Sequence, residues 1–371
     1  MTHPHAMISF AFCRDGRQLA TGSECGADGD YESPVIGVVL WDVASGAARH
    51  VVPVEGGIGL GDQLRRGLAF CADGTTLAYD YFTNLVGALD TKTAQVRLEA
   101  VASGNDGPPS FAIDESGAHV FIAASEGCAS PAIGSVWVVG SDTPPSYLLA
   151  PEDRHVQALS WRGGQLHVAD AGSLASIDAS RGTVLRRTPF FTDGRVPWVW
   201  PSPSGRYVAA TVRDGAGVTL LDADTHGRVV TSDAPRAITG FVFDRAETRW
   251  AAVSALRGVR APVGGATIFE AGRSIGTIPG PLAPSDWQQF ADGVPFALSP
   301  DGRHALVLRP GGEFERWDVD PAPILRSRLA TIEGALAVVW PVDDVVIAIG
   351  PRVLVFLHAD GRPIARHAFP A

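Results

Sequence analysis

Three observations predict an all-β repeat architecture. Short apolar runs bounded by Gly, Pro, Asp and Ser recur along the 371-residue chain. Equivalent positions come round about every 45 residues. Each unit holds four such runs, the fourth after a polar turn. Four strands at a period of roughly 40–50 residues are the signature of a β-propeller. The chain is therefore expected to form one domain, a single β-propeller of eight four-stranded antiparallel blades. Seven blades is the alternative, if units three and four share a blade or one unit is degenerate. The approximate blades are 7–53, 65–101, 108–150, 156–189, 197–232, 237–280, 293–329 and 335–369.

The stretch Val294–Asp320 shows one unit most plainly. Phe296 to Leu298 and Ala305 to Leu308 are runs too short for helices. Between them, Ser299-Pro300-Asp301-Gly302 is turn chemistry, since Pro presets φ and Gly takes the positive-φ position. Gly311-Gly312 makes a looser connection. Trp317-Asp318 closes the third strand, and Pro321 and Pro323 keep it from extending.

The other units follow the same plan. Their first hairpins include ISFAFCRDGRQLAT from Ile8, GLAFCADGTTLAY from Gly67 and ALSWRGGQLHVAD from Ala158. The acidic position ending the third strand falls at Asp42, Asp90, Asp178, Asp222, Glu270 and Asp318, and becomes Gly140 and His358 in units three and eight. Fourth strands are expected at Ala48–Pro53, Val96–Val101, Val184–Thr188 and Ile364–Phe369. First strands alternate large, small, large, as in Phe10-Ala11-Phe12, Leu68-Ala69-Phe70 and Phe296-Ala297-Leu298. Side chains on a strand alternate faces. An innermost strand squeezed between two blades would thus set bulk on one face and a small residue on the other. The ring is expected to close by packing of blade one on blade eight, without a strand exchanged between the ends.

Composition narrows the classes. Hydrophobic content of 46%, with 42 Gly and 27 Pro, suits many short strands and turns and argues against disorder. No run of 18 apolar residues occurs, so no transmembrane helix is expected, and the acidic balance disfavours an anionic-membrane partner. The start MTHPHAMISF has no secretory pattern. Cys13, Cys25, Cys71 and Cys128 show no CxxC spacing, which speaks against a zinc ribbon or c-type haem; Cys13 and Cys71, at equivalent places just before a turn, are expected to pack, and a reduced, cytoplasmic compartment is expected. The net charge of −10 disfavours nucleic acid. Lys92 is the only lysine, and this arginine bias suggests a GC-rich bacterial genome.

On these residues the chain resembles the WD-repeat and WD-like β-propellers. Asp15-Gly16, Asp73-Gly74 and Asp301-Gly302, with Trp41-Asp42 and Trp317-Asp318, carry the likeness over nearly the whole length. The family's Gly-His pair ahead of the first strand is absent throughout. Apolar packing is therefore expected in place of the buried His–Asp network of typical members. The resemblance implies a non-catalytic protein–protein interaction scaffold.

Chemistry-bearing motifs are sparse. Gly56 to Gly61 leads into a hairpin rather than a helix and reads as a loop. Asp28, Asp30 and Glu32 lack the rest of a calcium loop. No GxSxG or HExxH occurs, and His167 and His304 sit in second strands, where packed histidines are ordinary. No catalytic residue, cofactor or metal is assigned, and the reading leans away from an enzyme. The alternative is a hydrolase or lactonase with its site at the central channel, which would need acids or histidines converging on the axis.

The long connections Gly22–Pro34, Val54–Arg66, Leu256–Gly265 and Gly280–Gly293 are expected to build the interaction face. Trp287, Phe290, Phe190, Phe191, Arg257, Arg260 and Tyr31 are the candidate partner-binding residues, since aromatics and arginine dominate interaction hot spots. The partner is another protein, and the chain alone is expected to be a monomer.

Overall fold

Gly16, Gly74 and Gly302 lie at φ of 71°, 74° and 70°, the left-handed conformation that their turns require. In the same turns Asp15 and Asp301 each accept the backbone N–H two residues on, at 2.9 and 3.0 Å. Such turns fold successive runs back on one another. A computed structural model of the chain describes residues 7–23, 35–54, 67–81, 85–101, 110–126, 133–140, 143–152, 156–170, 172–191, 197–212, 218–232, 238–254, 264–283 and 294–369. Its strands form eight four-stranded sheets, each an antiparallel meander in chain order. They span residues 7–54, 68–101, 110–152, 156–189, 197–232, 240–279, 296–331 and 337–368, and are called sheets one to eight below. The molecule is a single all-β propeller of four-stranded antiparallel blades.

Between each sheet and the next lies one hydrophobic core. Leu40, Leu68 and Leu77 join sheets one and two, Ala78 and Ile122 join two and three, and Phe121 and Leu166 join three and four. The series continues around the ring to Phe314 and Val355 between sheets seven and eight. Met7, Trp41, Ile347 and Phe356 then join sheet eight to sheet one. The ring thus closes by packing. Both end sheets are complete in themselves, and the Met7 N–H donates to Pro351 O at 2.9 Å across the seam.

The alternation in the first strands has the physical cause that its pattern suggests. Phe10 packs toward sheet eight, while Ala11 faces sheet two. Leu68 faces sheet one and Ala69 faces sheet three. Phe296 and Leu298 face sheet six, and Ala297 faces sheet eight. The large residues fill the space toward the preceding sheet, and the small ones admit the following sheet.

The acidic position that ends the third strand also acquires a role. Asp42, Asp178 and Asp222 each accept a backbone N–H of the turn into the fourth strand at 2.9 Å. In sheet six that turn is the tight pair Ala271-Gly272, both at positive φ, and Glu270 instead binds Arg249 at 2.7 Å.

Candidate functional site at the central channel

The eight first strands surround a channel of about 760 Å³, and every sheet contributes to its wall. The six aromatic rings Phe12, Phe70, Trp161, Trp200, Phe241 and Phe243 line it and are half-buried. Trp200 breaks the large–small–large pattern. In register, its partner Ala209 corresponds to Ala78, the partner of Ala69, so a tryptophan stands where other sheets carry alanine. It packs on Phe241 with ring centroids 5.1 Å apart. Trp161 stacks on Phe121, 5.0 Å away and nearly parallel.

One mouth of the channel is formed by the first-hairpin turns and carries the charge. The Arg162 Nε donates to both oxygens of Asp224, at 3.1 and 2.9 Å, linking sheets four and five. Glu247 accepts the backbone N–H of Ser204 at 2.7 Å and its hydroxyl at 2.6 Å, linking sheets five and six. Asp244 accepts from the Thr248 hydroxyl at 2.8 Å and the Arg249 N–H at 3.0 Å, and burial raises its pKa. Arg249 continues the belt to Asp320 at 2.9 Å and the Gly302 carbonyl at 3.0 Å. Arg14, Glu115 and Arg245 are exposed at this mouth. Among the described residues, no group of three His, Cys, Asp or Glu is placed to hold a metal ion.

A second polar cluster lies at the seam between sheets four and five. His167 Nδ1 is 2.8 Å from Ser176 Oγ, which is 2.6 Å from His226 Nε2, and His226 Nδ1 is 3.0 Å from Thr188 Oγ1. His167 Nε2 is buried with no hydrogen-bond partner. Burial first, then the neighbouring His226, pushes the His167 pKa down to about 4. Apolar packing alone was expected in place of the buried polar network, and this relay corrects that expectation for one seam. Trp41 too has a polar tether, its Nε1 donating to Thr21 Oγ1 at 2.8 Å.

The sequence-predicted partner residues fare differently. Phe190 is fully buried in the core between sheets four and five, so it holds the ring together and is closed to a partner. Its N–H donates to Gly172 O at 3.0 Å. Phe191 is half-buried against the same core. Tyr31, Arg257, Arg260, Trp287 and Phe290 lie outside the described residues, as do Gly56–Gly61 and the acidic stretch from Asp28 to Glu32.

The base of the Gly280–Gly293 connection is anchored. Leu282 and Ala283 are buried, and the Ala283 N–H donates to Leu308 O at 2.8 Å. Arg309, missed by the sequence reading, donates to the carbonyls of Pro279 and Pro281 at 3.0 and 3.2 Å and pairs with buried Glu315 at 2.8 Å. The sequence signal for that pair is slight: an arginine just past the second strand and a glutamate in the third.

No family model and no curated protein matches the chain. Solved structures do resemble it. The propeller of Dos1 is 13% identical, covering 93% of this chain and 90% of that one, with a TM-score of 0.63. The β-propeller domain of Cps50 (Swd1) from Myceliophteria thermophila is 13% identical over 94% of each chain, with a TM-score of 0.54. The dihydro-heme d1 dehydrogenase NirN, in complex with DHE, is 13% identical over all of this chain and 74% of its own, with a TM-score of 0.61. At these identities the likeness establishes the propeller fold and nothing about chemistry.

Proposed function

We propose that the chain is a non-catalytic scaffold of the WD-like type. In this reading it is an eight-bladed, cytoplasmic propeller that holds another protein on the loop face opposite the charged mouth. The observation that supports it most is the state of the mouth carboxylates. Asp224, Asp244 and Glu247 each serve a donor of the scaffold itself, and two of the three tie neighbouring turns together. General acid–base or metal-assisted hydrolysis needs such groups converging on one reacting atom. An eight-blade count is supported by the eight sheets and by the separate core at each of eight seams.

The partner site proposed is the Gly280–Gly293 loop with Trp287 and Phe290, flanked by Arg257, Arg260 and Phe191, with Tyr31 as an outlying contact. Phe190 is excluded by its burial. The Arg309 bonds to the base of this loop would hold a contact surface in place.

The test is affinity capture followed by mass spectrometry, with the unmodified protein beside a Trp287→Ala, Phe290→Ala double variant. The variant is expected to lose the captured protein while its Tm stays within a few degrees. Truncating an aromatic hot spot costs about 2 kcal/mol of binding or more. A large fall in Tm would mean that these rings are core and that the site lies elsewhere.

A further inference from the structure

The channel wall and the charged mouth together describe a second, smaller site. Six half-buried aromatic rings face one cavity, and about 760 Å³ falls within the range of small-molecule pockets, roughly 300–1,000 Å³. Apolar first strands need only be large toward the preceding sheet and small toward the next. Trp200 goes against that rule, extending the aromatic wall where alanine would satisfy the packing.

The mouth supplies the complementary feature. Of the three arginines that line the channel, Arg162 is tied to Asp224. Arg14 and Arg245 are exposed, and neither side chain has a hydrogen-bonded or ion-paired partner among the described residues. Arg245 is fixed by its backbone, its N–H donating to Pro300 O at 3.2 Å, and its guanidinium lies near enough to Asp15 of sheet one to help lower that carboxyl's pKa. Arg14 directly precedes Asp15 in its turn, and both arginines line the same channel. Of the four lining carboxylates, Asp224 is paired with Arg162, and Asp244 and Glu247 are held by donors of the scaffold, so Arg14 and Arg245 are the lining cations that no carboxylate pairs among the described residues.

We infer that the channel binds a planar aromatic anion of two or three rings, its ring system against Trp161, Trp200, Phe70 and Phe243 and its acidic group at Arg14 and Arg245. Aromatic faces stack on flat rings, and guanidinium groups recognise carboxylate or sulfonate. The occupant is a small molecule, and its binding is independent of the protein partner proposed for the loops.

A matched pair of probes separates the two components: 8-anilinonaphthalene-1-sulfonate and its uncharged counterpart N-phenyl-1-naphthylamine. The sulfonate is expected to bind one per chain, with a Kd on the order of 1–100 μM, and to quench tryptophan fluorescence. The Arg14→Gln, Arg245→Gln double variant should weaken the sulfonate about tenfold and leave the neutral probe within about twofold. Ala69→Trp places in sheet two the residue that sheet five already carries at the equivalent position. It should block both probes by filling the channel. Should that variant fail to fold by circular dichroism, Trp200→Ala replaces it and should weaken both probes severalfold.

The inference is overturned if several probes bind per chain, if none binds below millimolar concentration, or if the channel variants leave binding unchanged. It is equally overturned if the arginine changes weaken both probes alike. None of these results bears on capture through Trp287 and Phe290, so the two readings fail separately.

Discussion

His167 is set in the second strand of sheet four with only 1% of its surface exposed, and its fold favours the neutral imidazole. Ser176 Oγ bridges it to His226 from the adjacent sheet, so the hydroxyl can donate to one ring and must accept from the other. A proton added to His167 would lie beside His226 and Arg162, with Asp224 as the opposing charge, while Arg186 acts on His226. The folded pKa, about 4, lies below the ordinary histidine value near 6.5. The native state therefore binds fewer protons than the unfolded chain between those two values. Its contribution is complete above about pH 6.5 and is lost as pH falls toward 4, by roughly 3 kcal/mol in all. The Tm of the protein is expected to drop through this window, and that of His167→Gln to drop much less. Parallel curves would show that the relay does not govern acid sensitivity. Carboxylates such as Asp42, whose pKa is lowered chiefly by the Ser45 hydroxyl, act below that window, since their stabilisation is lost only as pH falls below the usual carboxyl range.

At the scale of the element, one hairpin device recurs. In four of the first turns the opening residue accepts the N–H five positions later: Gln18 to Cys13, Thr76 to Cys71, Tyr207 to Ser202 and His304 to Ser299, at 2.9 to 3.1 Å. Cys13, Cys71 and Ser299 also donate to the turn aspartate two residues on. A buried thiol thus serves where another sheet uses a hydroxyl. Burial, with the Asp15 hydrogen bond, pushes the Cys13 thiol up to about 11. Site-resolved iodoacetamide labelling should leave Cys13 and Cys71 unmodified in the native protein and modify both after denaturation. Rapid native labelling of either would contradict a turn-forming role. This device also marks how far the sequence could be read. Asp-Gly turns and alternating runs are local, and they placed the fourth strand at Val96–Val101 where it stands and that of sheet one within a residue of the observed Ala47–Val54. The paired Phe190-Phe191 looked like a surface anchor because a connection was expected to be exposed. Its burial depends on sheets four and five meeting, which no local pattern encodes. The relay was hidden for the same reason, since Ser176 and His226 are 50 positions apart. The channel wall was half-legible: Phe12, Phe70 and Trp161 belong to the repeat, but their convergence on one axis belongs to the ring.

For the whole molecule, the manner of closure matters most. Each of the eight seams is a side-chain core, and the seam between sheets eight and one is of the same kind as the other seven. Removing a ring such as Phe356 from this seam should therefore cost what it would cost at any other, about 3–5 kcal/mol. Among the described residues this joint has no ladder: no strand from one end is woven into the sheet of the other, and the backbone and imidazole bonds across the joint are Met7 to Pro351 and His367 to Gly46. A load applied between handles at residues 7 and 369 would meet interlocked side chains, which slide apart one by one, rather than a row of hydrogen bonds that must break together. In an optical trap the ring should open first at this joint, at low force, giving a strained-open circle of intact sheets before any sheet unravels. A single high-force rupture with no earlier step would show that the joint is stronger than its contacts imply. If the joint opens first, the propeller behaves as a clasp whose catch is made of packing.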